Sequence, residues 1–392
     1  GSTVIGHADV DGRGVEGVEK QFDQYLRGSG VTLPGIKDAR GRELLIEGLD
    51  DTMEMAGRDV VLTIDSYLQL VTESALARTV EKHNAAAATA VMIDIPTGEV
   101  LALASIPNYD PNQPKTAFER GARTRAVTDA IEPGSTQKAF TFAAALDAGK
   151  VKPEHQFDCQ MGRMQIGKVT IRDTHPLGIL TAAETFQHSS NICTVKIARR
   201  IGREALAEAL ARFGVGRRTG IGLPGEARGL LRPVERWGEI GFSNIAFGQG
   251  LTVTPMQLTA GYAMMAASGV WRSPRIGLAL VDPSGHEEPP PVPSDARPEA
   301  RVMNEHAARM LLAIMRKVTE PEGTAKLAAI PGYPVAGKTG TAQKVSRGRY
   351  DPDKWIASFI GVVPADKPKL ALSVIVDEPR PIHLGGQVAA PA

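Results

Sequence analysis

The chain has little cysteine, few aromatic residues and no excess of either charge, and each shortage closes off a class of function. Two Cys among 392 residues cannot build a Cys-rich zinc site. The eight His show no H-E-x-x-H or comparable ligand spacing, so neither a metal nor another cofactor is expected. Cys159 and Cys193 are read as two buried thiols, with a disulfide as the alternative in an oxidising compartment. Lys and Arg total 45 against 44 Asp and Glu, so net charge gives no pull toward nucleic acid or an anionic membrane. No window offers the roughly 18 consecutive apolar residues of a membrane span. No basic start with a short apolar core marks a signal peptide. Gly1-Ser2 in place of an initiator Met reads as the scar of an expression tag on a trimmed N-terminus. Internal repeats are absent.

What is present is the composition of an ordered globular protein, 42% hydrophobic and 23% charged. The length exceeds one ordinary core and fits a large domain with a smaller one. Residues 1–57 are rich in Gly and charge, with an amphipathic helix expected around Val15–Leu26. From Asp59 the pattern changes to a strand-like run, then a helix N-capped by Asp65 and running to about Lys82, with Tyr67, Leu68, Leu70, Val71 and Leu76 toward its inner face. Ala90–Asp94 and Val100–Ser105 flank a Pro- and Gly-containing turn and read as a hairpin. Helical patterns dominate from Ser135 to about Phe213, broken by a β-like piece at Met164–Ile171, and recur at Pro255–Ser268 and Asn304–Val318. Asp282–Pro298 reads as a Pro-rich surface loop, and the end returns to β at Val335–Gln343, Trp355–Val363 and Leu370–Val376. Strands, then helices, then strands predict an α+β fold whose sheet joins both ends of the chain.

Three places carry chemistry. In Glu132-Pro133-Gly134-Ser135-Thr136-Gln137-Lys138 a Pro-Gly turn opens an apolar helix. Ser135 and Lys138, three apart, share a helix face, and burial there favours a neutral amine able to take the Ser proton. Read alone, the pair is more often an N-cap Ser followed by a solvated Lys. In His188-Ser189-Ser190-Asn191, Ser189 and Asn191 can act together only from a loop entering the next helix, because residues two apart do not face each other on a helix. The plain alternative is a polar cap. In Lys338-Thr339-Gly340-Thr341 a strand would point Thr339 and Thr341 to one face and Lys338 to the other. Gly340 there marks close approach of a ligand or of another backbone. The alternative is a Gly turn with an exposed Lys.

The three patterns together, in this order, match a known motif set, and it is by that match that the chain resembles the serine acyltransferases that react with penicillin. Val10–Glu19, Gly98–Ser105, Phe247-Gly248-Gln249-Gly250, Thr254-Pro255 and Trp355–Gly361 extend the likeness to class B penicillin-binding proteins, most of all the cell-division subgroup. The resemblance implies an antiparallel sheet of about five strands flanked by helices, an all-helical lobe, and a truncated N-terminal pedestal in 1–57 before a transpeptidase domain in 58–392. It implies a peptidoglycan D,D-transpeptidase working through a Ser135 acyl-enzyme. Lys138 would be the base, and Ser189 with Lys338 would pass a proton to the leaving nitrogen. Asn191 would hold a substrate amide, and Thr339, Gly340 and Thr341 would line the carboxylate site. Implied partners are peptidoglycan stem peptides, β-lactams covalent at Ser135, a membrane glycosyltransferase and other division proteins. The implied place is the outer face of the cytoplasmic membrane, with an N-terminal anchor helix outside this sequence. The family's C-terminal helix is expected to be missing or cut short after Gly385-Gly386.

Overall fold

The computed structural model describes residues 1–28, 36–37, 43–44, 56–346 and 348–392. The expected N-terminal unit therefore lies partly outside the described residues. Its helix candidate is two short helices, Gly17–Gln21 and Asp23–Leu26. Val4, Val18 and Phe22 are buried in the same apolar core as the rest of the chain.

The centre is a five-stranded antiparallel sheet: β1 (Ala87–Asp94), β2 (Val100–Ile106), β3 (Ala336–Ser346), β4 (Arg349–Val363) and β5 (Leu370–Asp377). The spatial order is β3-β4-β5-β1-β2, so strands from both ends of the chain meet where β5 pairs with β1. A run such as Ala87-Ala88-Thr89-Ala90-Val91 has no polar alternation because helices cover it. Helices α1 (Ser66–Lys82) and α5 (Pro255–Ala266) both pack on β1. Every residue of α5 is buried, and a Thr254–Gln257 capping box with Pro255 at its first position fixes where it begins.

Helix α1 begins at Asp65, whose carboxylate accepts from the Leu68 N–H at 2.9 Å. Its inner face differs from the one expected. Tyr67, Leu70 and Val71 are exposed, Leu68 is half-buried, and Gln69, Leu76 and Thr79 face inward. The reason is the sheet edge. Among the described residues no strand pairs with β2 on its outer side, and Gln69 takes over its ladder by accepting from Leu103 N–H at 2.8 Å and donating to Leu103 O at 3.0 Å. A buried amide that satisfies an edge strand sets the helix rotation against the apolar residues.

The second lobe packs α2 (Lys138–Asp147), α3 (Asn191–Ile201) and α4 (Glu239–Phe247) around one another, with the helix Arg203–Arg212 against α2. The β-like piece is a hairpin of Arg163–Ile166 and Val169–Arg172. Its inner residues Met164, Ile166 and Ile171 cluster with Ile192, Val195 and Phe247. The two cysteines are not free thiols as expected: Cys159 and Cys193 form a disulfide across 34 positions of chain, with both residues fully buried. The Pro-rich loop 282–298 contributes only the two-residue strand Glu287–Glu288. After β5 the chain ends in the short helix Gly385–Val388, packed on β3 and β4.

Candidate active site

Ser135 lies in a 3₁₀ turn, Gly134–Gln137, that runs directly into α2 at Lys138. Gly134 has φ +52°, which a residue with Cβ adopts only under strain. Its N–H donates to Gly248 O at 3.0 Å. Gly248 touches the turn so closely that a Cβ there would lie 1.9 Å from Gly134 O. Tyr262 on α5 donates to Thr136 O at 2.8 Å, and the Glu132 carboxylate accepts from Gly250 N–H at 2.9 Å. Ser135 is thus held half-exposed on a turn whose other residues, Thr136, Gln137 and Lys138, are buried. The Phe247–Gly250 segment and Tyr262 carry that turn, a supporting role that no spacing in the sequence announces.

The Lys138 amine points away from solvent into the 188–191 loop. It donates to Ser189 O, to Ser189 Oγ at 3.1 Å and to Asn191 Oδ1 at 2.7 Å. No carboxylate among the described residues pairs with it. Burial drives its pKa down to about 7, with the more distant Asp173 pulling the other way. Ser135 and Lys138 are neighbours along the turn, but among the described residues no hydrogen bond joins their side chains.

Ser189 and Asn191 reach Lys138 together because the chain turns sharply between them. Ser189 adopts φ +60°, Ser190 is the N-cap of α3, and Asn191 is its first residue. Asp173 fastens this corner: its carboxylate accepts from Ser190 Oγ at 2.6 Å, from Asn191 N–H and from Ile192 N–H at 3.2 Å. The Asn191 amide group donates to Arg172 O at 2.9 Å. Sequence reasoning misses Asp173, which lies well before the triplet and belongs to no motif. Its only local signal is a carboxylate just past a strand end.

Strand β3 closes the other flank at the sheet edge. Lys338 is fully buried, donates to Thr339 O at 3.2 Å and lies over the Phe186 ring at 5.8 Å from its centre. Burial and the nearby Lys138 hold its pKa well below the usual lysine value. Thr339 and Thr341 face the other way. Thr339 Oγ1 donates to Thr324 Oγ1 at 2.9 Å, and Thr341 Oγ1 accepts from Gly385 N–H at 3.0 Å. At Gly340 a Cβ would lie 2.3 Å from Ser358 Oγ on β4 and would also meet Thr136 Cγ2 at 2.9 Å and Pro133 O at 3.0 Å, so the glycine lets both the neighbouring strand and the Ser135 turn come close.

A half-exposed serine backed by two buried lysines forms a site suited to covalent acyl transfer. Comparison with known proteins agrees. Residues 88–392 match the penicillin binding protein transpeptidase domain. The chain is 38% identical over 392 residues to the probable peptidoglycan D,D-transpeptidase PenA of Neisseria meningitidis, covering 99% of this chain and 64% of that protein. It is 37% identical over 390 residues to the peptidoglycan D,D-transpeptidase FtsI of Escherichia coli K12, covering 99% and 63%. It therefore spans a little under two thirds of each of these two relatives. The apo crystal structure of penicillin-binding protein 3 from Mycobacterium tuberculosis superposes with a TM-score of 0.86 at 33% identity, covering 99% of this chain and 85% of that one. The same protein complexed with aztreonam gives 0.85 at 32% identity, with the same coverage. The chain belongs to the penicillin-binding protein transpeptidase family, among its class B members.

Proposed function

We propose that this chain is the catalytic part of a peptidoglycan D,D-transpeptidase that cross-links stem peptides through an ester on Ser135 and is blocked there by β-lactams. The observation that carries the reading is the buried, carboxylate-free Lys138 amine held between Ser135 on its own turn and the Ser189–Asn191 corner. A lysine kept near neutrality accepts the Ser135 proton as Oγ bonds to the carbonyl carbon between the two terminal D-alanines. Backbone N–H groups of Ser135 and Thr341 receive the oxyanion. The carbon–nitrogen bond then breaks, and the proton passes through Ser189, with Lys338 behind it, to the departing D-alanine nitrogen. An amine of a second stem peptide attacks the ester, loses its proton to the same groups and leaves Ser135 restored.

Asn191 holds Lys138 through its oxygen, which leaves the donor-peptide amide to be met along β3. That strand is an open edge, and an extended peptide adds to such an edge by main-chain hydrogen bonds. Of the two threonines, Thr341 is the better donor to the terminal carboxylate. Its oxygen accepts from Gly385 and keeps its own proton, whereas Thr339 spends its proton on Thr324.

The Cys159–Cys193 disulfide fits an oxidising compartment and so the outer face of the cytoplasmic membrane. No helix among the described residues is long and apolar enough to cross a membrane. A membrane glycosyltransferase and other division proteins are the partners such an enzyme would work beside.

Product analysis with an acyl-D-alanyl thioester tests the reading. Amide formed with an added amine is expected to exceed hydrolysed acid. Acid alone, at any amine concentration, would make the chain a hydrolase.

A further inference from the structure

The hairpin beside the Ser189–Asn191 corner carries a feature that its own stability does not explain. Arg163 and Arg172 are directly opposite each other across the two strands, and both are exposed. Like charges at such positions destabilise a strand pair. Neither guanidinium forms an ion pair or a hydrogen bond among the described residues, unlike those of Arg199 and Arg212 in the same lobe. The acid next to Arg172 in the chain, Asp173, is committed to the start of α3. Lys168 at the hairpin turn adds a third exposed positive charge. A local rule broken without a structural return is where function is expected.

The position of the pair is fixed to the active site. The Arg172 carbonyl accepts from the Asn191 side chain at 2.9 Å, and the next residue, Asp173, caps the helix that Asn191 begins. Met164, Ile166 and Ile171 anchor the hairpin against Ile192 and Phe247, so its outer face cannot turn away. Two forked donors set side by side recognise a carboxylate, since each guanidinium offers parallel N–H groups.

We propose that Arg163 and Arg172 form a carboxylate-binding subsite for the acceptor peptide, the molecule whose amine attacks the Ser135 ester. This rests on the transpeptidase reading. The terminal carboxylate of the donor belongs to the β3 flank and departs with the leaving D-alanine before the second step. The acceptor then brings the next carboxylate into the site, on the flank of Ser189 and Asn191. The pair orients that peptide and raises its local concentration without touching the reacting atoms.

The test compares two acceptors, a short amine-bearing peptide with a free C-terminal carboxylate and the same peptide as its carboxamide, using an acyl-D-alanyl thioester as donor. For R163Q/R172Q, kcat/KM for the carboxylate acceptor is expected to fall roughly tenfold. The carboxamide acceptor and the rate of labelling by fluorescent penicillin are expected to stay within about twofold. R163K/R172K, which keeps charge but loses the fork, should fall between the two. An unchanged carboxylate-to-carboxamide ratio in R163Q/R172Q overturns the subsite. So does a loss confined to thioester or penicillin acylation, which would place the arginines on the donor. Normal penicillin labelling with no transfer to either acceptor would overturn the transpeptidase reading itself, and the subsite with it.

Discussion

Lys138 Nζ lies 2.7 Å from Asn191 Oδ1 in a buried site where no carboxylate of the described residues touches it. Neutral acceptors can hold the amine in place, but they do not keep it protonated as an ion pair would. On the proposed mechanism, this arrangement stores a base near neutral pH beside Ser135.

The first consequence is a pH profile. Because the folded-state pKa is depressed to about 7, the free amine fraction rises through that value, and the acylation rate should rise with it and level off above. The same shift acts on stability. The unfolded chain holds the lysine proton up to about 10.4, so the folded state is penalised below about 7 and relieved as pH rises between the two values. Second-order rates of β-lactam acylation against pH would show the limb. A rate still climbing toward pH 10 would place the base elsewhere.

Asp173 should act on both the corner and the base. Asp173→Asn removes a negative charge from the start of α3, where such a charge is worth about 0.3–1 kcal/mol. It also removes the one negative charge that raises the Lys138 pKa, so the acylation limb should move to lower pH. A variant that is less stable but keeps the limb where it was would reduce Asp173 to a cap alone.

Much of this site is legible in the sequence because its chemistry is local. Ser135 with Lys138 and the alternation along Lys338–Thr341 follow from spacing, Ser189 with Asn191 from a loop entering α3, and the structure brings the three together. The parts that escape are set by contacts distant in sequence. Gln69 turns inward because it serves Leu103, which no periodicity of α1 contains, so apolar spacing puts Tyr67, Leu70 and Val71 on the wrong side. Asp173 reaches the 188–191 loop only once the hairpin is folded. The disulfide is invisible for the same reason, since two cysteines 34 positions apart say nothing about whether their Cα atoms meet.

That disulfide gives a further test. Cys193 lies in the first turn of α3, and its N–H donates to Ser190 Oγ at 3.1 Å. Closing a loop of this length contributes about 2–4 kcal/mol. C159A/C193A should melt several degrees lower and also acylate more slowly, because the helix that presents Asn191 is less firmly held. Equal melting curves for the variant and the unmodified protein would show that the disulfide holds nothing in place.

The acylation expectations depend on Ser135 being the acylated nucleophile, and intact-protein mass spectrometry after exposure to a β-lactam puts that to the sharpest test. The chain should gain the mass of one β-lactam, with the adduct on the peptide containing Ser135, and Ser135→Ala should gain none while keeping its fold by circular dichroism. A folded Ser135→Ala protein that still carries the adduct would put the nucleophile on another residue.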